Sequence, residues 1–301
     1  MMDWDKLRIF HTVAQAGSFT KAAERMNVSQ SAISRQINAL EESLGIPLFH
    51  RHTRGLMLTT QGDLLFQSAK EVFAKLALTE ALMNESRGNS YGALKVASSV
   101  AFGSMWIVPH LKEFMSLYPH MRLNLLLRDD EDEVDLNMRE ADINISCQQP
   151  TQSDLIATPL PPLKLRIYAS RTYLEKNGVP LKISDLDTHD LIVYGHETPH
   201  QMTKSNVILH AGTKCGTMRE PYLMINNLYG ILQSVKASLG MAVLNRYIVK
   251  DEPDLVEILP EYDLGYIQNY IIYPEQLKTS KRISAFRDFI IHKAKESRTY
   301  S

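Results

Sequence analysis

The sequence predicts an α plus α/β chain: a compact helical unit, one long uninterrupted helix, then a larger part in which strands and helices alternate. Three observations carry this. Residues 1–60 break into short helical patterns punctuated by capping residues. From Thr60 to about Ser86 no Gly or Pro follows Gly62. Beyond a hinge-like stretch at Arg87–Gly92, β-like runs alternate with amphipathic segments, the pattern of βαβ units and mixed sheets. A length of 301 residues suits two or three domains, because single cores stop growing near that size.

Charge bounds the function. The formal net charge is −1, from 33 Lys and Arg against 34 Asp and Glu, so any nucleic-acid contact must concentrate positive charge locally. Residues 1–60 do so modestly, setting Lys6, Arg8, Lys21, Arg25, Arg35, Arg51 and Arg54 against Asp3, Asp5, Glu24, Glu41 and Glu42. No apolar run nears the ~18–20 residues that span a bilayer. Met1–Lys6 is polar and acidic rather than the basic start of an export signal. Cys147 and Cys215 are too few for a secreted disulfide framework. The expectation is a cytoplasmic protein with no membrane partner.

The first helical pattern runs from Asp3, an N-cap residue, to Ala16, with Trp4, Leu7, Phe10, Val13 and Ala14 as its apolar stripe and Gly17 as its stop. Ser18 or Thr20 caps a second helix that ends near Met26, and its Ala22–Ala23 pair lets another helix approach closely. After the turn Asn27–Val28–Ser29, Ser29 caps a third helix reaching Leu44 before Gly45. Ile33, Ile37, Leu40 and Leu44 share one inward face. At about 100° per residue, Ser31, Ser34, Arg35 and Asn38 lie opposite, with Gln30 at the tip. Such a tip suits major-groove reading: Gln grips adenine, Arg takes guanine or phosphate, and free N–H groups at the capped start meet a phosphate. A merely solvated face carries the same residue types. The preceding helix, the short turn and the segment that follows favour DNA. Pro47–Thr59 reads as a hairpin wing whose His and Arg tip reaches the sugar-phosphate backbone or minor groove.

At these residues the chain closely resembles the LysR-type transcriptional regulators. The likeness lies in Leu7-Arg8-Ile9-Phe10, Ala16-Gly17-Ser18-Phe19, Ala22-Ala23, the run Val28–Ile37, Leu40-Glu41, Leu44-Gly45, Leu48-Phe49, Arg51, Leu58-Thr59 and Gly62. Met1–Phe10 and Ser280–Phe289 are most similar to the alphaproteobacterial LsrB/VtlR branch. The resemblance implies DNA contacts at Gln30, Ser31, Ser34 and Arg35, with Ser29 at their start, and a wing at Arg51 and Arg54. It also implies the fold: a winged helix-turn-helix, a linker helix, and a periplasmic-binding-protein-like domain of two α/β subdomains. The partners it implies are double-stranded DNA, a small-molecule effector, RNA polymerase, and further copies of the chain as homodimer or homotetramer.

Thr60 caps a helix of about 25 residues, roughly 40 Å long at 1.5 Å per residue. Leu65, Ala69, Val72, Leu76, Thr79 and Met83 form a coiled-coil seam. The stripe suits packing on its own domain too, but so long a helix protrudes from a small domain, and a second chain is the more natural partner. The expected domains are 1–60, 61–90 for linker and hinge, and 91–301 for effector binding. The last divides into subdomain I at about 91–163 and 269–301 and subdomain II at about 164–268.

In the last part, β-like runs lie at Leu94–Ser98, Leu123–Leu127, Ala141–Ser146, Lys164–Ala169, Leu191–Tyr194, Met241–Leu244 and Tyr270–Tyr273. Helical patterns lie at Met105–Tyr118, Asn227–Ser238 and Ser280–Ala294. Ser98, Ser99 and Val100 mark a strand-to-helix junction whose hydroxyls and N–H groups suit an anion, and the family's ligands are often carboxylates. Plain helix capping suits the two serines equally. By position, Cys147, Tyr194, His196, Asn226 and Asn227 are further effector candidates. Cys147 and Cys215 are also candidates for a redox switch, although buried inert thiols are the commoner outcome. No motif of an enzyme or cofactor site occurs, and the acidic run Asp129–Glu133 reads most simply as a solvated loop, with metal binding as its alternative. The remaining rival is a solute-binding receptor without a transcriptional role.

Overall fold

The structure, a computed structural model, describes residues 3–52, 55–86, 92–129, 134–136, 139–195, 202–214 and 217–297. The chain divides into two compact units at Met83.

In the first unit each helix boundary has a local cause. Helix α1 (Trp4–Ala16) starts where Asp3 accepts the Asp5 N–H, and stops where Gly17 takes a left-handed φ of 61°. Helix α2 (Phe19–Met26) is capped by Ser18 rather than Thr20 and ends at Asn27, also left-handed. Helix α3 (Gln30–Leu44) is capped by Ser29, which accepts the Ala32 N–H at 3.2 Å, and ends at Gly45. Leu7, Phe10, Val13, Ala22, Ala23, Ile33, Ile37 and Leu40 close into one core. Strands β1 (Phe49–His52) and β2 (Gly55–Leu58) form the antiparallel hairpin, and Leu48 and Phe49 plug its base into that core.

Helix α4 (Thr60–Ser86) spans 27 residues. Its cap is Thr59, not Thr60: the Thr59 hydroxyl accepts the Gly62 N–H and donates to the Pro47 carbonyl, both at 2.9 Å. Gly62 is required, because a Cβ there would overlap the Leu48 carbonyl oxygen. The predicted seam is divided. Ala69 is buried and Leu65 packed in the unit's own core, with Phe66 and Phe73 beside them, while Val72, Leu76 and Met83 are exposed. Trp4 is exposed but meets Phe73 in a tilted ring contact at 4.9 Å.

The second unit has two lobes. In chain order its first strand is β3 (Ala93–Ser98), followed by a helical run of α5 (Val100–Phe102), a π turn at Gly103–Ile107 and α6 (Val108–Leu117). This run begins earlier than the predicted Met105, because Ser99 caps it. Strands β4 (Arg122–Leu127), β5 (Ile143–Ser146) and β6 (Leu155–Pro159) come next. Strand β7 (Leu163–Lys164) leads to the second lobe: β8 (Arg166–Ser170), α7 (Arg171–Asn177), β9 (Leu191–Tyr194), β10 (Leu223–Ile225), α8 (Leu228–Lys236), β11 (Met241–Leu244), α9 (Arg246–Val249) and β12 (Leu255–Ile258). Strand β13 (Tyr266–Ile267) returns to β14 (Tyr270–Pro274) and α10 (Lys281–Glu296).

The first lobe's sheet has order β4-β3-β5-β14-β6 and the second's β10-β9-β11-β8-β12; in each, the three strands β4-β3-β5 or β10-β9-β11 are parallel. Between the lobes the chain crosses twice, as β7 paired antiparallel with β13. Phe114 meets Phe286 and Phe289 of α10 at 5.3 and 5.1 Å, tying that helix to the first lobe. Asp142, just before β5, is buried: it accepts the Lys95 N–H at 2.9 Å and faces the Arg282 guanidinium at 3.7 Å.

Candidate functional site

Helix α3 has two unlike faces. Ile33, Ile37 and Leu40 are buried, whereas Ser29, Gln30, Ser31, Arg35 and Asn38 are exposed and Ser34 is half-buried. The Ser29 and Ser31 hydroxyls lie 3.1 Å apart at the start of the helix. Side chains that cannot enter the core are thus gathered on one accessible edge. The wing is fixed to this helix by Glu41, whose Oε1 accepts the Leu48 N–H at 2.6 Å and the Phe49 N–H at 3.1 Å. Arg51 belongs to β1. Arg54 lies outside the described residues.

In the second unit, parallel strands bring their carboxyl ends together. Ser98 is in register with Leu127 and Ile145 in one lobe, and Tyr194 with Ile225 in the other. Ligands of open α/β sheets gather at such ends. Here they surround a cavity of about 290 Å³, walled by Ser98, Ser99, Asp129, Cys147, Tyr194 and Tyr247 among others. Ser98 is 3% exposed, and its hydroxyl has no hydrogen-bond partner among the described residues. Burial, reinforced by the Asp129 carboxylate, raises the pKa of both Tyr194 and Tyr247, so their phenols stay protonated across the physiological range.

Of the predicted effector residues, Ser98, Ser99, Cys147 and Tyr194 meet on this wall. Val100 and Asn227 stand behind it, joined through Asp129: the Val100 N–H donates to Asp129 Oδ1 at 2.9 Å, and the Asn227 amide donates to Asp129 Oδ2. Asn227 also caps α8, through the Gly230 N–H at 3.0 Å. Asn226 is exposed and away from the wall. His196 and Cys215 lie outside the described residues, and Cys147 is half-buried and in no disulfide among the described residues. The solvated-loop reading of the acidic run is corrected at Asp129, which is half-buried and engaged; Asp130–Glu133 lie outside the described residues. Sequence reasoning also missed Asn144, Ser146, Asn245, Tyr247 and Asn269. Their signal was weak: Asn144 and Ser146 lie inside the predicted strand Ala141–Ser146, while Asn245 and Asn269 adjoin β11 and β14 and Tyr247 lies in α9, in distant parts of the chain. Among the described residues there is no helix long and apolar enough to cross a membrane and no cluster of three or more candidate metal ligands.

A three-helix reader with a hairpin wing, followed by a two-lobed α/β unit with a cavity between its lobes, defines a DNA-binding regulator with a sensing domain. The chain belongs to the LysR family of transcriptional regulators. Residues 4–63 match the family's bacterial regulatory helix-turn-helix model, and residues 87–295 match its substrate binding domain. The uncharacterized regulator YhjC of Escherichia coli (strain K12) is 29% identical over 301 residues, covering 96% of this chain and 97% of its own. The regulator CrgA of Neisseria meningitidis serogroup C is 29% identical over 297 residues, 95% of each chain. The solved structure of CrgA is 26% identical, with a TM-score of 0.60 over 98% of this chain and 99% of that one. Full-length CbnR in complex with its target DNA, 21% identical, shares the fold with a TM-score of 0.67 over 97% of this chain and 100% of that one. These relatives establish the family and do not extend to the LsrB/VtlR branch. The protein is therefore a transcriptional regulator with a DNA-binding head and an effector-binding domain, and its family is one of regulators rather than of enzymes or free-standing solute receptors.

Proposed function

We propose that this cytoplasmic regulator reads a roughly palindromic DNA site through Gln30, Ser31, Ser34 and Arg35, with Ser29 at the start of the helix and Arg51 and Arg54 of the wing on the backbone. The effector occupies the cavity bounded by Ser98, Ser99, Cys147 and Tyr194 and shifts the two lobes about the β7–β13 crossover. Residues 1–60 carry DNA binding, 61–90 the dimerising linker and hinge, and 91–301 the effector response. One observation carries the DNA contacts: α3 buries Ile33, Ile37 and Leu40 completely while leaving Gln30, Ser31 and Arg35 in solvent. Exposed Gln and Arg on a helix anchored this firmly are the pair that reads adenine and guanine in the major groove.

Binding-site selection from random duplex DNA, followed by footprinting with the full chain, tests it. Arg35→Ala is expected to lose about 5–150-fold in affinity for the selected site, the range for one base-reading contact. Its thermal unfolding stays unchanged, since Arg35 is exposed. An Arg35→Ala footprint identical to that of the unaltered chain overturns the assignment.

A further inference from the structure

The cavity carries an anion of its own. Asp129 follows β4 and turns its carboxylate to the beginning of the helical run that opens at Val100, whose N–H it accepts at 2.9 Å. Backbone N–H groups at a helix start are where a ligand's carboxylate or phosphate ordinarily binds, because the groups are unpaired and the helix dipole favours negative charge. Here a side chain already holds that place. The other oxygen of the same carboxylate accepts the Asn227 amide from the N-cap of α8. Val100 belongs to the first lobe and Asn227 to the second, so one carboxylate ties the two.

The wall beside it points the same way. Asp135 adds a second carboxylate, whereas Arg128, the one cationic side chain among the described lining residues, lies 3.8 Å from Glu140. An acidic wall of this kind repels a further anion and favours a group that donates. The buried Ser98 hydroxyl, without a partner among the described residues, is free on that wall to accept from a ligand or to donate to one, and beside the two carboxylates a donor-bearing ligand can use it together with Asp129.

Resting on the reading of this cavity as the effector site, we propose that Asp129 is a resident carboxylate filling the anion position, and that the effector is a donor-bearing compound, neutral or cationic, rather than a carboxylic acid. The donor meets Asp129 and Ser98, and it acts on the lobes by drawing the Asp129 carboxylate away from Asn227 or strengthening its hold there.

Acetate is the probe. Removing the resident carboxylate with Asp129→Ala vacates a site of acetate's size and charge between Val100 and Asn227. Thermal melts of the full chain without DNA are expected to show no saturable effect of acetate on the unaltered protein. In Asp129→Ala, acetate should give a saturable rise of about 2–4 °C, and neutral acetamide should not. Asp129→Ser, which keeps a polar group but vacates the same space, carries the same expectation if the alanine variant folds poorly. Acetate that stabilises the unaltered chain as much as the variants overturns the proposal, and so does a lack of response in both variants. A metabolite screen by the same melts closes the second half: a carboxylic acid that stabilises the unaltered chain and loses its effect in Ser98→Ala overturns the ligand class. Because these readouts involve no DNA, their failure condemns the role of Asp129 alone. The effector reading itself falls only if no cavity ligand alters the DNA footprint.

Discussion

Glu41 sits near the end of α3 and holds two backbone N–H groups of the wing with one oxygen. Leu48 and Phe49, which carry those groups, are buried, so neither N–H has water as an alternative partner. A buried donor left unsatisfied costs about 1–3 kcal/mol. Glu41→Ala strands two of them and is expected to destabilise the first unit by about 2–6 kcal/mol, read as a lower urea midpoint for its unfolding. Glu41→Gln keeps a carbonyl acceptor and should recover part of the loss. A Glu41→Ala midpoint equal to that of the unaltered chain would remove Glu41 from this role. Sequence reading reached Glu41 only as one residue of a recurring motif, because its partners lie in the hairpin and not on its own helix. Asp129 is the stronger case. Next to four further acids it resembled solvated charge, and what gives it meaning is a bond to Asn227, 98 positions away. Ser98 and Ser99 were legible for the opposite reason: a strand-to-helix junction is a local event with a local signal.

At the scale of elements, α4 divides one stripe between its own unit's core and an exposed stretch. Its early turns cover α1, where His11 lies between Phe66 at 5.5 Å and Phe73 at 4.8 Å. Burial, with a smaller contribution from Lys70, lowers the His11 pKa from 6.5, so the folded unit holds the ring neutral. The unfolded chain takes up a proton near pH 6.5 while the folded chain does not. The stabilisation is therefore present above the unfolded value and is lost as pH falls from there toward the lower folded value. Urea midpoints measured between pH 7.5 and 5, on a scale set by that ordinary value, should fall in the unaltered chain and fall less in His11→Phe, which keeps the aromatic contacts without the titration. Parallel profiles for the two chains would exclude His11 as the cause. The reader's three helices were visible in the sequence because Ser29, Gly17, Asn27 and Gly45 act within one turn of themselves. The stripe on α4 was visible as well, but not its division, since a stripe of this spacing looks alike whether it meets its own domain or a second copy. Strands β6, β10 and β12 escaped notice for a related reason. They are three to five residues long and exist through pairing, as when Leu155–Pro159 lies along Tyr270–Pro274.

At the scale of the whole molecule, the charge balance decides how affinity must be assembled. A net charge of −1 leaves little long-range attraction for DNA, and the first sixty residues offer only seven cationic side chains against five acids. One reading head of this kind binds weakly. Two heads held on one duplex convert the second contact into an intramolecular step, which raises avidity by about 10²–10⁴ without any new contact. The surface proposed to hold two copies together is the outer part of α4, where Val72, Leu76 and Met83 are 42%, 44% and 56% exposed. A lysine at Leu76 puts a charge on that seam and removes nothing from the first unit's core. Leu76→Lys is expected to reduce oligomer size in sedimentation velocity, to leave the thermal melt of the chain in place, and to lose about 10²-fold or more on the full site. Affinity for an isolated half-site should not change. This separates it from Arg35→Ala, which should weaken full site and half-site alike and blur the sequence preference. If Leu76→Lys keeps both its oligomer and its full-site affinity, the exposed part of α4 is not the pairing surface, and two weakly charged heads must be brought together by the second unit instead.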